Sequence, residues 1–349
     1  MSPISFCGFL FMECIIALLY NKLKEIRLRL RIQRYGQSFV DRSKFYLKIS
    51  ERMIVTTGRK KSQSKSIPKD DGFIMSPKID FVFKLIFGDE KHKDLLIAFL
   101  SAVLGVPEEE FEGLDILNSE LLREFAEDKK GILDVRAQTK QGKQIDIEIQ
   151  ILPTAFMPER TMFYWSKMYL SQVNPGDTYD KLKKCITINI VDFKCLPLPK
   201  LHSRYHLTED ETGHLLTDLL EVHFLEIAKL VDLEIPRDEN DPVVEWMEFL
   251  AAPSKGVIEM LAERNQKIKK AYELLQIISQ DKKARMLYEA REAELRDQLT
   301  RMKSEKDKGR AEGRAEVAKN LLELGMEIAM VAKATGMTEE EIKKLGDQD

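Results

Sequence analysis

Residues 144–151 alternate strictly between polar and apolar side chains. Gln144, Asp146, Glu148 and Gln150 fall on one side, and Ile145, Ile147, Ile149 and Ile151 on the other. A period of two is that of a half-buried β-strand. Residues 131–139 form a second strand-like run, and Lys140-Gln141-Gly142 separates the two. A three-residue break closed by glycine predicts a hairpin with the glycine in the left-handed region. That loop sets Leu133 opposite Ile149, Val135 opposite Ile147, and Ala137 opposite Ile145. On the polar side Ile132 meets Gln150, Asp134 meets Glu148, Arg136 meets Asp146 and Gln138 meets Gln144. A two-residue loop would slip the pairing by one residue and put Asp134 on the apolar side.

Helical spacing appears before the hairpin. Ile79, Val82, Phe83 and Ile86 share one face over 78–87, between Pro77 and Gly88. A second helix is predicted over 93–104, ended by Gly105 and Pro107. A first strand is expected within 113–125, with Glu120 and Glu124 as surface charges. After the hairpin, 158–173 reads as a helix. Arg160, Tyr164 and Lys167 lie along one stripe of it, and Met162, Trp165, Met168 and Tyr169 are assigned to the core. Ile186, Ile188 and Ile190 alternate in a further strand over 185–193. Residues 215–225 extend the domain, and His223 there is read as structural. The order is αβββαβ, a mixed α/β sheet flanked by helices.

Past residue 238 the chain becomes helical and charged, over 242–250, 256–279 and 281–306. Residues 308–316 repeat a four-residue unit whose glycines each weaken a helix by about 1 kcal/mol. This stretch suits a solvated helix or hinge, or a self-association segment. Residues 317–345 predict two or three short helices, with Leu321, Leu324, Ile328 and Val331 as the packing stripe. Thr338 and Glu341 have the spacing of a capping box. A helix–turn–helix can have this form, but the acidic tip favours packing or dimerisation over base reading. Four segments are expected: a basic N-terminal extension over 1–74, the mixed-sheet domain over 75–238, a charged helical region over 239–316 and a small helical, helix–turn–helix-like segment over 317–349.

The balance of 55 basic against 58 acidic residues gives a net charge of −3. Any nucleic-acid contact must therefore come from a local basic patch. Cys7, Cys14, Cys185 and Cys195 have neither metal-type spacing nor a disulfide framework, which fits a reducing cytosol. Residues 4–20 are apolar but short for a membrane span and include Glu13. Lys22, Lys24, Arg27, Arg29, Arg31 and Arg34 follow, and would hold the downstream domain in the cytoplasm if the segment were an anchor. Residues 58–71 read as a linker. Met75 is expected to be the natural start, with the upstream residues a misread start or a lineage-specific addition.

The candidate chemistry lies on the polar side of the hairpin. Directly opposed like charges destabilise a sheet. Two charges ~5 Å apart repel by roughly 1 kcal/mol in water and ~3 kcal/mol at an effective dielectric of 20. Arg136 and Asp146 are expected to relieve each other, but Asp134 and Glu148 have no cation in the pattern. Either they lie on a solvated face with a lysine reaching over, or they hold a hard divalent cation, for which oxygen-only ligands suit magnesium, with manganese as a substitute. Asp80 and Lys84 are four residues apart. They form a surface ion pair, or they serve as an acid and a phosphate contact. Arg160 either bridges to a sheet carboxylate or clamps a phosphate.

Asp134 followed by Glu148-Ile149-Gln150 resembles the PD-(D/E)XK nuclease core, with Gln150 where many members carry lysine. The ordered set is more specific: residues 76–88, Gly131-Ile-Leu-Asp-Val135, Ile147-Glu-Ile-Gln150 and Arg160-x-x-x-Tyr164-Trp-Ser-Lys167. From about Met75 to the C-terminus the chain resembles the PD-(D/E)XK nuclease family transposases, related to the recombination-promoting nucleases. The resemblance implies a restriction-endonuclease-like fold and a cytoplasmic, magnesium-dependent DNA endonuclease that promotes recombination. It implies Mg²⁺ held by Asp134, Glu148 and the carbonyl of Ile149. Catalytic roles would fall to Asp134, Glu148, Gln150, Asp80 and Lys84, and double-stranded DNA contacts to Lys84, Arg160, Tyr164 and Lys167. The C-terminal helices would support a homo-oligomer, and no membrane partner is required. The alternative is a catalytically idle DNA-binding or scaffold protein on the same fold.

Overall fold

Gly142 takes a φ of +85° and its N–H donates to the Thr139 carbonyl at 2.9 Å, closing the hairpin as its sequence predicts. In the computed structural model, which describes residues 72–117, 134–238, 240–252 and 254–346, β2 (Val135–Gln138) and β3 (Gln144–Gln150) pair antiparallel. Val135 faces Ile147, Arg136 faces Asp146, Ala137 faces Ile145 and Gln138 faces Gln144. The expected register therefore holds over all four described pairs. Ile132, Leu133, Glu120, Glu124, Cys7, Cys14 and the whole of 1–71 lie outside the described residues.

Six strands among the described residues form one mixed sheet in the order β1-β2-β3-β4-β6-β5. They include β1 (Asp115–Leu117), β4 (Cys185–Val191), β5 (His202–Thr208) and β6 (Leu215–Glu226). β3, β4 and β6 run parallel, while β1 and β5 pair antiparallel at the two edges. This is a restriction-endonuclease-like α/β architecture. The hairpin of β5 and β6 adds two strands to the expected order. β5 reads His-Ser-Arg-Tyr-His-Leu-Thr, an edge strand with little apolar alternation.

The isoleucine face of β3 packs with Ile186, Ile188 and Ile190 of β4 in a core that includes α1 (Asp80–Phe87) and α2 (Lys93–Leu104). Gly105 ends α2 at a φ of +68°, a conformation favoured by the absence of a Cβ. The other face of β3 is covered by α3 (Met157–Leu170), whose Thr161 hydroxyl bonds to Asn189 at 2.9 Å and whose Trp165 indole donates to the Cys185 carbonyl at 3.0 Å. The strand is thus buried on both faces, not half-buried. Of the core residues expected on α3, Met168 is buried and Tyr169 stacks on Trp165, but Met162 is 42% exposed.

The core continues across residue 238 into α4 (Pro242–Ala251), α5 (Lys255–Arg264), α6 (Gln266–Gln280) and the first turns of α7 (Lys282–Glu323). Trp246 of α4 lies edge-on to Phe87 and Phe99, with ring centroids 5.6 and 6.0 Å away. Asn265 separates α5 from α6 by accepting the Lys267 and Ile268 N–H groups, so the single helix expected over 256–279 is two. The glycine-containing repeat lies inside α7 as solvated helix. No helix among the described residues is long and apolar enough to cross a membrane.

Ala318, Val331 and Ile342 form a separate small core joining the end of α7 to α8 (Ile328–Thr335) and α9 (Glu339–Gly346). The capping box is present: the Thr338 N–H donates to Glu341 at 2.8 Å and the Glu341 N–H to the Thr338 hydroxyl at 3.3 Å. Leu324, expected on the packing stripe, is 79% exposed because it caps α7 and turns outward. The Trp246 contact gives a direct test of the shared core. Trp246→Ala is expected to cost about 3–5 kcal/mol, read as a lower urea midpoint with one cooperative transition for the 75–295 unit.

Candidate active site

The sequence of β3 forces carboxyl groups toward α3, because isoleucines claim the other face. Asp146 and Glu148 are almost fully buried, at 1% and 4% exposure. Asp134 stands at the bend before β2 and is not paired across the ladder as the register predicts. Its Oδ2 instead accepts the Ile149 N–H at 2.7 Å. Glu148 Oε2 accepts from Arg160 Nη2 at 3.1 Å, which is the sheet-bridging arrangement foreseen for Arg160. The solvated-face alternative is overturned, since α3 covers these carboxyls.

Asp80, Asp134, Glu148, Ile149, Gln150 and Arg160 converge on one cleft of ≈ 330 Å³. Ile151 and Leu152 also line it, and α7 supplies the rest of the wall through Arg291, Leu295 and Gln298. Arg291 Nη2 lies 2.5 Å from Asp80 Oδ2 and its Nε 3.2 Å from Oδ1, a two-pronged pair. Asp80 is therefore tied to a residue 211 positions away. Gln150 Nε2 donates to the Leu152 carbonyl at 3.2 Å. Lys84 does not line the cleft, although its charge reaches Asp134. Tyr164 lies beneath Arg160 at 5.3 Å, and Lys167 lies over Phe163 at 5.1 Å.

Burial pushes the Asp134 carboxyl up to about 6, against the Ile149 hydrogen bond, and Asp80 adds repulsion. Burial likewise raises Glu148 to about 7, opposed by Arg160 and aided by Asp134. Asp146 is held well above the ordinary carboxylate range, first by burial and then by Glu148 and Asp134. The expected mutual relief of Arg136 and Asp146 does not take the form of a hydrogen bond. Arg136 donates to Gln144 at 2.7 Å, and neither Asp146 oxygen has a hydrogen-bond partner.

Two acidic side chains and a main-chain oxygen make a hard, oxygen-only donor set with surplus negative charge, and that chemistry fits a small divalent cation. Among the described residues no three His, Cys, Asp or Glu side chains form a metal-binding group. The set here would thus be completed by the backbone and by solvent. His223 is buried and bonded to Glu221 and His202, away from the cleft, as a structural residue should be.

Arg291 and Gln298 escaped sequence reasoning. They sit in a highly charged helix whose spacing carries no sign of the cleft.

A mixed sheet with carboxyls converging beside β3 is the arrangement of the restriction-endonuclease-like fold. A family model described as PD-(D/E)XK nuclease family transposase matches residues 77–305, and the chain belongs to that family. A second model, described as Rpn/YhgA-like nuclease family, C-terminal HTH domain, matches residues 311–347. The match agrees with the helix–turn–helix form that the short helices of this segment allow. Comparison with curated proteins and with solved structures gives no match.

The elevated carboxyls make stability depend on pH. Asp134 and Glu148 bind protons more tightly folded than their ordinary values of 3.8 and 4.5 allow. Their contribution is full below about pH 4 and is lost as pH rises through about 6 to 7. In EDTA, the melting temperature of the protein should fall across that window, and Asp134→Asn with Glu148→Gln should flatten the slope. A flat wild-type profile would contradict the assignment.

Proposed function

We propose that this chain hydrolyses phosphodiester bonds of double-stranded DNA with a divalent cation, Mg²⁺ or Mn²⁺, held by Asp134, Glu148 and the main-chain carbonyl of Ile149. The observation that carries the reading is the convergence of two proton-retaining carboxyls, Glu148 buried and Asp134 half-buried, in a cleft walled by two guanidinium groups. The Ile149 N–H faces Asp134. A strand residue directs its N–H and C=O to the same neighbour, which supports the carbonyl as third ligand. A bound divalent cation supplies Lewis-acid chemistry, activating water and offsetting phosphate charge.

The chain's own residues account for the remaining work. Arg160 leaves Glu148 for a phosphate oxygen, with its planar fork matched to that group. Arg291 supplies a second guanidinium and holds Asp80 in place. Gln150 carries no charge, so it orients water or phosphate through its amide. The positive charge that lysine would bring at that position comes from Arg160 and Arg291, with Lys84 nearby. Lys84, Tyr164 and Lys167 extend the DNA contact from the cleft, and the helix–turn–helix domain adds a second one. The C-terminal helices offer a surface for homo-oligomerisation, and the site of action is the cytoplasm.

Hydrolysis that cuts DNA would by itself stimulate recombination. Strand transfer needs a second chemical step, for which no separate residue set is found among the described residues.

Plasmid incubated with the purified protein should be nicked or linearised in Mg²⁺ and left intact in EDTA. Asp134→Ala and Glu148→Gln should abolish cutting, and Arg291→Ala should slow it by roughly 100- to 1,000-fold, the range for removing one charge-stabilising donor. Equal background in wild type and Asp134→Ala would favour an idle scaffold on a nuclease fold.

A further inference from the structure

Phe156 is the one non-glycine residue among those described with a positive φ, 61°. A bulky side chain in that region is an outlier, and such strain collects at ligand-binding sites. The ring gains little from the protein in return, because it is 75% exposed. Phe156 caps the N-terminus of α3, next to the cleft. Past it Arg160, Phe163, Tyr164 and Lys167 lie along one side of the helix, with Phe156 at its N-terminal end. Phe163 is 42% exposed. Each cation sits over a ring of this stripe, Arg160 on Tyr164 at 5.3 Å and Lys167 on Phe163 at 5.1 Å. Arg160 also reaches Glu148, which makes the stripe continuous with the cleft wall. The helix has a single carboxylate, Glu159, against these two cations.

Alternating aromatic faces and cations suit a strand whose bases are free to stack and whose phosphates are within reach. Paired bases inside a duplex hide their faces and cannot use the rings. Seven residues of helix separate Phe156 from Phe163, a span of about 10 Å. That is the length of roughly three stacked nucleotides at ~3.4 Å each.

We propose that this side of α3 is a stacking track for unpaired nucleotides. The chain would then engage DNA bearing a single-stranded flap, overhang or frayed end in preference to blunt duplex. The inference rests on the nuclease reading and names the substrate form for the same cleft.

Fluorescence anisotropy in EDTA, where cutting does not interfere, tests it with a blunt duplex and the same duplex carrying a single-stranded tail. Wild type is expected to bind the tailed DNA at least about fivefold more tightly, the low end of one base–aromatic stack. Phe156→Gly keeps the backbone conformation without the ring. It should melt no lower than wild type and lose most of the preference, as should Phe163→Ala. Phe156→Tyr should keep the preference, and the added emission of Phe156→Trp should be quenched by the tail. Equal wild-type affinities for the two DNAs, or a preference intact in Phe156→Gly, would overturn the proposal. So would a Phe156→Gly effect seen only as a changed mass in light scattering, which would give the patch to a second copy of the chain. Plasmid cutting read on the same preparation separates the two claims. Cutting without a tail preference rejects the track alone, and a tail preference without cutting rejects the nuclease reading.

Discussion

Three carboxyl groups confined to the covered face of a β-sheet set the character of this molecule. Isoleucine at every other position of β3 commits Asp146 and Glu148 to the side roofed by α3, and Asp134 leans in from the entrance of β2. Glu148 takes a charge-assisted bond from Arg160, and neither oxygen of Asp146 has a hydrogen-bond partner. Leaving ionised groups this close in a medium of low polarity is costly. The chain meets that cost by retaining protons on Asp134 and Glu148 to unusually high pH. The same electrostatic deficit is what a hard cation would remove. Proton retention and cation binding thus compete for the same oxygens.

The cleft is closed by a distant part of the sequence. Arg291 of α7 grips Asp80 of α1, and Leu295 and Gln298 continue that wall. The early turns of α7 belong to the large core through Tyr288 and Leu295, while its last turns join the small core of the helix–turn–helix domain through Ala318. One continuous helix therefore contributes to both the cleft and the C-terminal domain. The glycines at 309 and 313 lower its propensity without breaking it, and Lys308–Glu312 is one of the i,i+4 ion pairs that support its exposed surface.

Much of the centre was legible because hairpin chemistry is local. Alternating isoleucines, a three-residue loop and Gly142 suffice to fix the register of β2 and β3. That register alone puts Asp134, Glu148 and Gln150 in the same neighbourhood. Three features were not legible, each for a physical reason. Burial of the polar face depends on α3 folding over it, a tertiary event that the strand pattern does not encode. β5 is a polar edge strand whose pairing with β6 supplies the order that its own sequence lacks. Arg291 looks like any other residue of a solvated helix until α7 packs against α1. The two-helix break at Asn265, by contrast, carried a readable capping signal. At the C-terminus the acidic tip weighed against a helix–turn–helix, although the three short helices and the capping box were visible.

The central claim is that Asp134 and Glu148 serve one cation together. Calorimetric titration of Mn²⁺ into the metal-free protein near pH 8, where both carboxyls have given up their protons, tests it most directly. The account predicts stoichiometric binding that Asp134→Asn and Glu148→Gln each remove, with Mg²⁺ competing for the same site. Binding that survives in both variants, or no binding in the wild type, would contradict it.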